Sequence, residues 1–585
     1  MDSEHTYRNL FDVFVCHGQV PALQWSKSKT PGDHAVVTFE DLEYVSEYVA
    51  DRILERTEGL EKGFIALKVD NCPEWIPTYW GILMAGFKPF LLDARHPLSL
   101  TEFFIKQTNA AALITDTLAG FESLNEITKV INVNDLIKCD KKQILEIAAN
   151  KNAGGRFSGK NEGMSASERL KLYDFGDETA LCTSGTTSTA KIFTYNGEAI
   201  AAQMVSATYP ITHNTLISDD RPKRNLAFLP LHHIFGFMAC YIWYSFFAGC
   251  LVFPENKAPS SLLAACREHK VTHIMAVPIL VNNIITGVNR KLAKEKKIKQ
   301  IGFKFLTGLS ILAQKIAPVK GINFAKKLFA KSVLNNLAGT SIEIIIVGGG
   351  HLLPKTMKAI NALGYCTICG FGMTETGICS MEVSKRFGKR MKCCVGLPVP
   401  TVEYRIVPFG NDPKVGELQI KGESIHSGRI IDGKAMPKDV DAEGWFATGD
   451  IGRLTDSGLY IEGRLKEVIV NESGENVYPD DVEDSFTLMD GVNQFAVLGT
   501  AKKNSKYEDI TLVIETSKEL TDKEYLDALL SDIKSRNSQL FAFKRVTKVL
   551  VTNDKLPLSN GIKIKRAVLK KQIDAGEGNY LKLMG

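Results

Sequence analysis

The run from Leu181 to Lys191 concentrates the residue types that hold a polyphosphate. Between an apolar start and a lysine stand a glycine and a series of hydroxyls, namely Thr183, Ser184, Gly185, Thr186, Thr187, Ser188 and Thr189. Glycine lets backbone N–H groups turn towards an anion, while hydroxyls and a lysine add donors and charge. No second glycine precedes Lys191, so this is not a Walker A loop. The run predicts a phosphate-binding loop of a different kind. The alternative is a plain Ser/Thr/Gly loop without a ligand.

Two later segments carry groups that would complete a nucleotide site. Gly348, Gly349 and Gly350 follow the β-branched run 342–347, and glycines after a strand allow a planar ligand to come close. A tight turn is the alternative for them. The segment 370–376 combines Phe371, Thr374 and Glu375. A carboxylate beside phosphates suits magnesium, which takes one or two protein oxygens, so Glu375 is the predicted metal ligand.

Three charged residues further along fit the same chemistry. Asp450 ends the run Gly444–Asp450 and would bind ribose hydroxyls. Arg464 offers a guanidinium just before a change in sequence character near residue 466. Lys563 lies close to the end of the sequence and supplies an ammonium group.

The pattern around these segments indicates how they are positioned. Short β-branched runs at 64–69, 111–114, 273–277 and 342–347 alternate with amphipathic stretches. Such alternation predicts an α/β architecture with largely parallel sheets. A hairpin is predicted over 402–420, and the polar stretch 151–169 is predicted to be a surface loop. From residue 466 the chain is more charged, which predicts domains at 1–465 and 466–585.

The composition is that of a soluble globular protein. Of 585 residues, 44% are hydrophobic and 23% charged, with a net charge of +5. No basic, aromatic-interleaved signature indicates nucleic-acid binding. The polar N-terminus and cysteines set in apolar runs predict a cytoplasmic protein with reduced thiols. Cys366 and Cys369 form a CxxC pair, which alone is weak evidence for a metal, and its surroundings favour a strand.

Two stretches raise the question of membranes. The apolar run 237–253 falls just short of a membrane span, and small residues and Cys interrupt it, so a buried helix is predicted. The stretch 290–331 carries twelve basic residues against Glu295, with apolar residues interleaved. It is interpreted as a solvated helical face, with peripheral contact to an anionic membrane as the alternative.

Taken in order, these motifs resemble the adenylate-forming superfamily of acyl-CoA synthetases, carrier-protein-loading adenylation domains and firefly-type luciferases. The resemblance covers the chain from about Asn71 to Lys563. It implies an α/β fold with a large N-terminal domain of mixed sheets and helices and a small, mobile α+β C-terminal domain. It also implies ATP, magnesium and a small carboxylic acid as ligands, with coenzyme A or a separate carrier protein as thiol acceptor.

The resemblance assigns roles residue by residue. Thr183, Ser184, Gly185, Thr186, Thr187 and Lys191 would wrap the ATP phosphates. Gly349, Gly350 and Phe371 would form the adenine pocket, Thr374 and Glu375 would contact phosphate and magnesium, and Asp450 and Arg464 would contact ribose. His233 would lie near the acyl carboxylate, and the segment 395–398 near the site of thioester formation. Lys466 would be the hinge, and Lys563 would bridge the carboxylate and the α-phosphate, with Lys565 as a competitor.

The implied reaction activates a carboxylate, whose oxygen is a poor leaving group. The acid attacks the α-phosphate to give acyl-AMP and pyrophosphate, and a thiol then displaces AMP. The segment 463–479 and the basic insert resemble fatty acyl-CoA synthetases, so coenzyme A and a fatty acid are predicted. A carrier-protein ligase is the alternative. Ser188, Ala190, Ile192 and Ile562 depart from the family pattern, so a non-catalytic AMP-binding regulator is a further alternative.

Overall fold

A computed structural model describes residues 6–28, 30, 32–150, 164–183, 190–214, 222–409, 412–470, 476–487, 489–502, 507–559 and 563–585. For Asn476, Ser559 and Lys563 it describes the backbone alone. The chain alternates helices and strands throughout the N-terminal part, as the sequence pattern predicts.

The strands follow one another along the chain as β1 (Pro21–Ser26), β2 (His34–Thr38), β3 (Phe64–Lys68), β4 (Lys88–Leu91), β5 (Ala112–Thr115), β6 (Lys129–Asn132), β7 (Glu178–Cys182), β8 (Ile192–Asn196), β9 (Arg224–Leu226), β10 (Cys250–Val252), β11 (His273–Ala276), β12 (Ile344–Val347), β13 (Cys366–Met373), β14 (Gly377–Met381), β15 (Leu397–Pro398), β16 (Val402–Pro408), β17 (Val415–Gly422), β18 (Gly428–Ile431), β19 (Lys434–Met436), β20 (Phe446–Thr455), β21 (Gly458–Arg464), β22 (Ile469–Val470), β23 (Asn476–Val477), β24 (Val492–Ala501), β25 (Glu508–Thr516), β26 (Lys548–Thr552), β27 (Leu558–Ser559), β28 (Lys563–Ile564) and β29 (Leu581–Met584).

The α-helices are α1 (Tyr7–Val15), α2 (Phe39–Arg56), α3 (Trp75–Met84), α4 (Leu98–Thr108), α5 (Gln143–Ala149), α6 (Ala166–Leu170), α7 (Gly197–His213), α8 (Trp243–Phe246), α9 (Pro259–Glu268), α10 (Pro278–Ala293), α11 (Lys297–Ile316), α12 (Pro318–Phe329), α13 (Pro354–Ala362), α14 (Phe387–Arg390), α15 (Pro479–Glu483), α16 (Lys523–Ser538) and α17 (Arg566–Asp574). A π-helix, Phe235–Ile242, runs directly into α8. In the described part of the chain, no helix is both long enough and apolar enough to cross a membrane.

Two large sheets with parallel cores build the N-terminal part. One has the strand order β15-β14-β13-β12-β11-β9-β10-β1-β2, and the other has the order β19-β18-β8-β7-β4-β3-β5-β6. Strands β11, β12 and β13 run parallel, as do β3, β4, β5 and β6. This confirms the predicted α/β class. Parallel strands end at a common edge, which brings the segments after β12 and β13 together.

Helix and hairpin predictions hold in most places. Strands β16 and β17 form the predicted antiparallel hairpin; its turn residues 410 and 411 lie outside the described residues. The apolar run is a buried helix only as far as Phe246. Ala248 then adopts a left-handed backbone, with φ +54°, and residues 250–252 form β10 in the middle of a sheet because β1 and β9 pair with them on both sides.

The predicted surface loop at 151–169 needs a correction at its end. Residues 151–163 lie outside the described residues. Ser165 and Glu168 form a capping box, in which each side chain bonds the other's backbone N–H, and start the helix α6. Arg169 at its end is buried and pairs with Glu43 at 2.6 Å, so this segment packs against α2 instead of lying free in solvent.

The C-terminal stretch has its own sheet, β24-β25-β26-β29. Two buried apolar clusters pack against it, and their members among the described residues all lie between Ile469 and Met584. This separation supports our proposal that the chain divides into domains at 1–465 and 466–585. Lys466, the proposed hinge, is exposed in the short 3₁₀ turn Leu465–Glu467 between β21 and β22.

Candidate active site

The predicted phosphate loop connects the antiparallel neighbours β7 and β8. Its two ends are tied together: the Thr183 N–H donates to the Lys191 carbonyl at 2.9 Å, and the Lys191 N–H donates to the Thr183 hydroxyl at 3.0 Å. Ser184, Gly185, Thr186, Thr187 and Ser188 lie outside the described residues. The closed base therefore sets where the loop begins and ends, and Lys191 is exposed beside it.

The turn that carries Thr374 and Glu375 is held by its own carbonyl groups. The Tyr195 hydroxyl donates to the Thr374 carbonyl at 2.8 Å, and the backbone N–H of His426 donates to the Glu375 carbonyl at 3.1 Å. The buried Gln203 amide donates to the Thr376 carbonyl at 3.4 Å. Polar groups buried with partners rigidify their surroundings, so this turn presents Glu375 in a fixed position.

The His426 ring adds a second bond to that turn. Its Nδ1 lies 2.7 Å from the Glu375 carbonyl and must donate, while its Nε2 accepts the Asp439 N–H at 3.3 Å. This pattern requires the neutral tautomer with the proton on Nδ1. Burial lowers the pKa of His426 to about 4, so the ring stays neutral near pH 7. Sequence reasoning missed Tyr195, Gln203 and His426, because none belongs to a recognisable motif.

Charges of the predicted nucleotide site converge on Glu375. Burial raises the pKa of its carboxyl, whereas the positive charges of Arg464 and Lys191 lower it and the negative charge of Asp450 raises it. These side chains come from four separate segments of the chain. The structure therefore brings together Lys191, Glu375, Asp450 and Arg464, which the sequence predicts to share a site.

Asp450 and Arg464 occupy facing positions on neighbouring strands. They are cross-strand partners in β20 and β21, and the Arg464 Nε lies 3.1 Å from the Asp450 carboxylate. Asp450 is buried and Arg464 is half-exposed. The guanidinium thus partly neutralises the Asp450 carboxylate.

The glycine triplet follows β12 and packs against other segments of the N-terminal part. Gly349 has φ +75°, a left-handed conformation that side chains other than glycine rarely adopt. A β-carbon on Gly348 would come within 3.2 Å of the Phe235 ring, so the triplet packs directly on the segment that follows His233. Gly350 lies beside Pro278, and Phe371 is partly buried on β13.

His233 lies in a second polar centre. Its ring centroid is 4.6 Å from that of His232, and His232 Nε2 lies 3.5 Å from the Asp93 carboxylate. Arg95 donates two hydrogen bonds to Asp93, at 3.0 and 2.7 Å. Burial and the neighbouring His232 lower the pKa of His233 to about 3, so it is a neutral imidazole. Sequence reasoning missed Asp93 and Arg95, which follow β4 far away in the chain.

An apolar cavity of about 20 Å³ lies between α7, α8 and the sheet. Side chains from the helices and from three strands or their ends line it, including Ile211, Trp243, Phe247, Met275 and Ile346. The π-helix before α8 is a rare element that is frequent at functional sites. Three residues of the apolar run 237–253, namely Trp243, Tyr244 and Phe247, thus border a narrow space.

The donor set at Glu375 fits a magnesium ion. Magnesium is bound in proteins through one or two carboxylates plus substrate phosphates and water. A carboxylate held by its backbone, with desolvation raising its pKa, gains from a cation beside it. Cys366 and Cys369 lie on the strand β13 as expected.

Comparison with known proteins shows the family of this chain. The model of the AMP-binding enzyme family matches residues 14–428. The chain belongs to this family. A long-chain-fatty-acid–CoA ligase of Haemophilus influenzae is 27% identical over 401 residues, which are 67% of this chain and 61% of that protein. A 2-succinylbenzoate–CoA ligase of Enterococcus faecalis is 27% identical over 284 residues, 47% of this chain and 55% of that protein.

The match thus spans 55% and 61% of the length of these two members of the AMP-binding enzyme family. Among solved structures, the o-succinylbenzoate CoA synthetase of Bacillus subtilis in complex with its acyl-adenylate intermediate has a TM-score of 0.68 and 20% identity. The superposition covers 96% of this chain and 97% of that one. This likeness confirms the fold over nearly the full length.

The structure describes the two lysines predicted near the end of the sequence, Lys563 and Lys565, to different extents. The backbone of Lys563 pairs with Ser559 in the short hairpin of β27 and β28, but its side chain and Ile562 lie outside the described residues. The competing Lys565 precedes α17, where its N–H donates to the Pro557 carbonyl at 2.8 Å. The role of Lys563 stays a prediction.

Proposed function

We propose that this protein activates a carboxylic acid with ATP to an acyl adenylate, and that it then transfers the acyl group to the thiol of coenzyme A. The observation that carries the proposal is the convergence of Lys191, Arg464 and Asp450 on Glu375. Three regions that are distant in sequence, around Lys191, Glu375 and the β20–β21 hairpin, supply cations and carboxylates for phosphates, a metal and a ribose. Coenzyme A is proposed as the acceptor because the similar proteins are CoA ligases.

The residues divide the work in this proposal. Thr183 and Lys191 hold the β- and γ-phosphates, and Asp450 and Arg464 hold the ribose hydroxyls. Glu375 and Thr374 face the phosphates. Magnesium bound at Glu375 would supply positive charge for the developing phosphate charge. Fixed groups of this kind lower the barrier because they need no reorganisation during the reaction.

In this proposal the carboxylic acid binds at the polar centre that contains His233. The neutral His233 donates a hydrogen bond to the carboxylate without forming a competing ion pair. The acid's body extends towards α8, where the apolar cavity of about 20 Å³ must widen to admit it. The carboxylate oxygen attacks the α-phosphorus, the bond to the bridging oxygen breaks, and pyrophosphate leaves. In the second step the thiolate sulfur attacks the acyl carbon and AMP leaves with the electron pair.

We propose a fatty acid as the substrate, because a long-chain-fatty-acid–CoA ligase is among the relatives and the side chains around the small cavity beside α8 are mainly apolar. A relative acts on 2-succinylbenzoate, so an aromatic acid with a second carboxylate is the competing candidate. The test is ATP-dependent pyrophosphate release with short, medium and long fatty acids, aromatic acids and 2-succinylbenzoate, each with and without coenzyme A. Turnover that requires a fatty acid and coenzyme A supports the proposal.

Other outcomes of the same assay contradict it in defined ways. Pyrophosphate exchange that coenzyme A does not affect would point to a carrier protein as acceptor. Absence of pyrophosphate release with every acid, alongside AMP binding, would favour the regulatory alternative.

The proposed role of Lys563 is tested by separating the two steps. Lys563→Ala should abolish acyl-adenylate formation, because the ammonium group that bridges carboxylate and α-phosphate is gone. Thioester formation from supplied acyl adenylate should continue at a rate near that of the wild type. Lys565→Ala is the matched control and should leave both steps intact. Equal loss of both steps in Lys563→Ala would contradict the assigned role.

A further inference from the structure

The helix α11 exposes a row of large apolar side chains to solvent. The exposed fractions are 77% for Ile298, 67% for Ile301, 70% for Phe305, 53% for Leu312 and 77% for Ile316. Their spacing of three, four, seven and four residues places all five on one face of the helix. Single exposed apolar residues are common on proteins, but contiguous patches mark interaction sites. This row is called the α11 stripe below.

The opposite face of α11 is fixed to the protein. The Ser310 hydroxyl donates to the Ala362 carbonyl at 2.7 Å, and the Gln314 amide donates to the Asn361 carbonyl at 2.8 Å. Both side chains are buried, and the Arg390 guanidinium donates to Oε1 of the Gln314 side chain at 3.4 Å. At about 100° per residue, Ser310 and Gln314 lie roughly opposite the stripe. The helix is therefore held by polar contacts in the one orientation that turns the stripe outwards.

Lysines line one edge of the stripe. Lys297, Lys304 and Lys315 are exposed and, by the same helical geometry, fall on one line about a quarter turn from it. None of the three has an ion pair with a described residue, whereas Lys299 pairs with Glu295 at 2.7 Å. Glu295 is the lone acid against twelve basic residues in the stretch 290–331. An apolar face bordered by uncompensated positive charge is the composition of helices that lie in a membrane interface.

We propose that α11 docks this protein on an anionic lipid surface, with the α11 stripe inserted among the acyl chains and the lysine row on the headgroups. A helix of 20 residues is about 30 Å long, so it would lie along the surface. A second copy of the chain is a poorer occupant, because an antiparallel two-fold contact through the stripe would place the lysine rows of both copies on the same side without acids to neutralise them. The docking is independent of the proposed catalytic reaction.

The test is sedimentation of the full-length protein with vesicles of phosphatidylcholine alone and of phosphatidylcholine mixed with phosphatidylglycerol. We expect binding to the mixed vesicles that weakens as salt screens the headgroup charge. Phe305→Asp should weaken vesicle binding by roughly tenfold or more, since an aromatic side chain proposed to insert among the acyl chains is replaced by a charge. The triple variant K297E/K304E/K315E should weaken it on the order of a hundredfold, since each lysine contributes.

Matched controls separate docking from general surface effects. Phe541 is 74% exposed and lies outside α11, so Phe541→Asp should bind as the wild type does. The triple variant K129E/K355E/K358E changes the net charge equally at exposed sites elsewhere and should have a much smaller effect than the α11 triple. Circular dichroism checks that all variants fold.

Three results would overturn the proposal. One is absence of binding to anionic vesicles, and another is equal loss in the α11 variants and their controls. The third is a wild-type dimer in light scattering that Phe305→Asp dissociates while vesicles remain unbound; the stripe would then be an interface between copies of the chain.

Discussion

The two ends of the proposed active site are built on different physical principles. At the Glu375 end, Tyr195, Gln203 and His426 fix three consecutive carbonyl groups, and charges of both signs face the ligand. At the His233 end, the proposed site combines a neutral imidazole with the narrow apolar cavity beside α8. Polar anchors specify position, whereas apolar packing specifies size and shape. Substitutions at the first end should therefore change the rate with every acid, and those at the second should change which acid is used.

The largest effect is expected for Glu375→Gln. Glutamine keeps the volume and the backbone turn but cannot carry the negative charge proposed to hold magnesium. Pyrophosphate release should fall by more than about a hundredfold with all acids alike. The assay is steady-state release over a magnesium series, with the exposed Glu423→Gln as control. A rate within about twofold of the wild type would remove Glu375 from the proposed site.

The other end of the site predicts a change in selectivity. Phe247 lines the apolar cavity of about 20 Å³, so Phe247→Ala should lengthen it. The ratio of kcat/KM for a longer fatty acid over a shorter one should rise by about tenfold, since each added methylene in an apolar pocket contributes to discrimination. Phe246→Ala is the matched control, because Phe246 directly precedes Phe247 but is not among the residues that line the cavity. An unchanged ratio in Phe247→Ala would place the acid elsewhere.

A smaller effect is expected for the histidine that supports Glu375. His426→Phe keeps a ring but leaves the Asp439 N–H without its acceptor and removes one donor from the Glu375 carbonyl. Such losses cost about 1–3 kcal/mol in folding free energy, and the adenylation rate should fall by roughly tenfold. His426→Gln retains a donor and an acceptor and should recover most of both. If His426→Phe behaves like the wild type, the carbonyl anchors are not needed to hold the turn.

The pH dependence of the same residue follows from its pKa. The folded-state pKa, about 4, lies below the ordinary 6.5. The neutral ring therefore contributes stability that is present above pH 6.5 and lost as the pH falls through about 4. Thermal unfolding of the wild type and His426→Gln across this range should show the wild type losing stability relative to the variant as the pH falls from 6.5 towards 4.

The sequence alone predicts one kind of information well. Continuous β-branched runs such as Ile344–Val347 predict buried parallel strands. Glu375, Asp450 and Arg464 lie near one another, and their membership of one nucleotide site stays a prediction. The sequence alone does not predict which side chains from distant parts of the chain contact the site residues. Gln203 and His426 reach Glu375's turn, and Asp93 reaches His232, through pairings that depend on strand order. Likewise the basic pattern of 290–331 is compatible with a solvated face; only the buried Ser310 and Gln314 show which face of α11 points outwards.

The smallest effect concerns the contact between the glycine triplet and the proposed C-terminal domain. His351 Nε2 lies 3.1 Å from the Asp484 carboxylate. Although burial alone would lower it, the hydrogen bond and charge of Asp484 raise the pKa of His351 to about 9. The protonated form is thus favoured in the folded state. Its contribution should be fully present below about pH 6.5 and lost as the pH rises through about 9.

Because both side chains are about one-third exposed, the pair should contribute less than about 1 kcal/mol. A double-mutant cycle of His351→Gln and Asp484→Asn, followed by thermal unfolding at neutral pH and above pH 9, isolates it. The coupling energy should be measurable at neutral pH and absent at the higher pH. A coupling that persists unchanged above pH 9 would mean that a neutral hydrogen bond, and not the ion pair, joins the Gly348–Gly350 segment to Asp484.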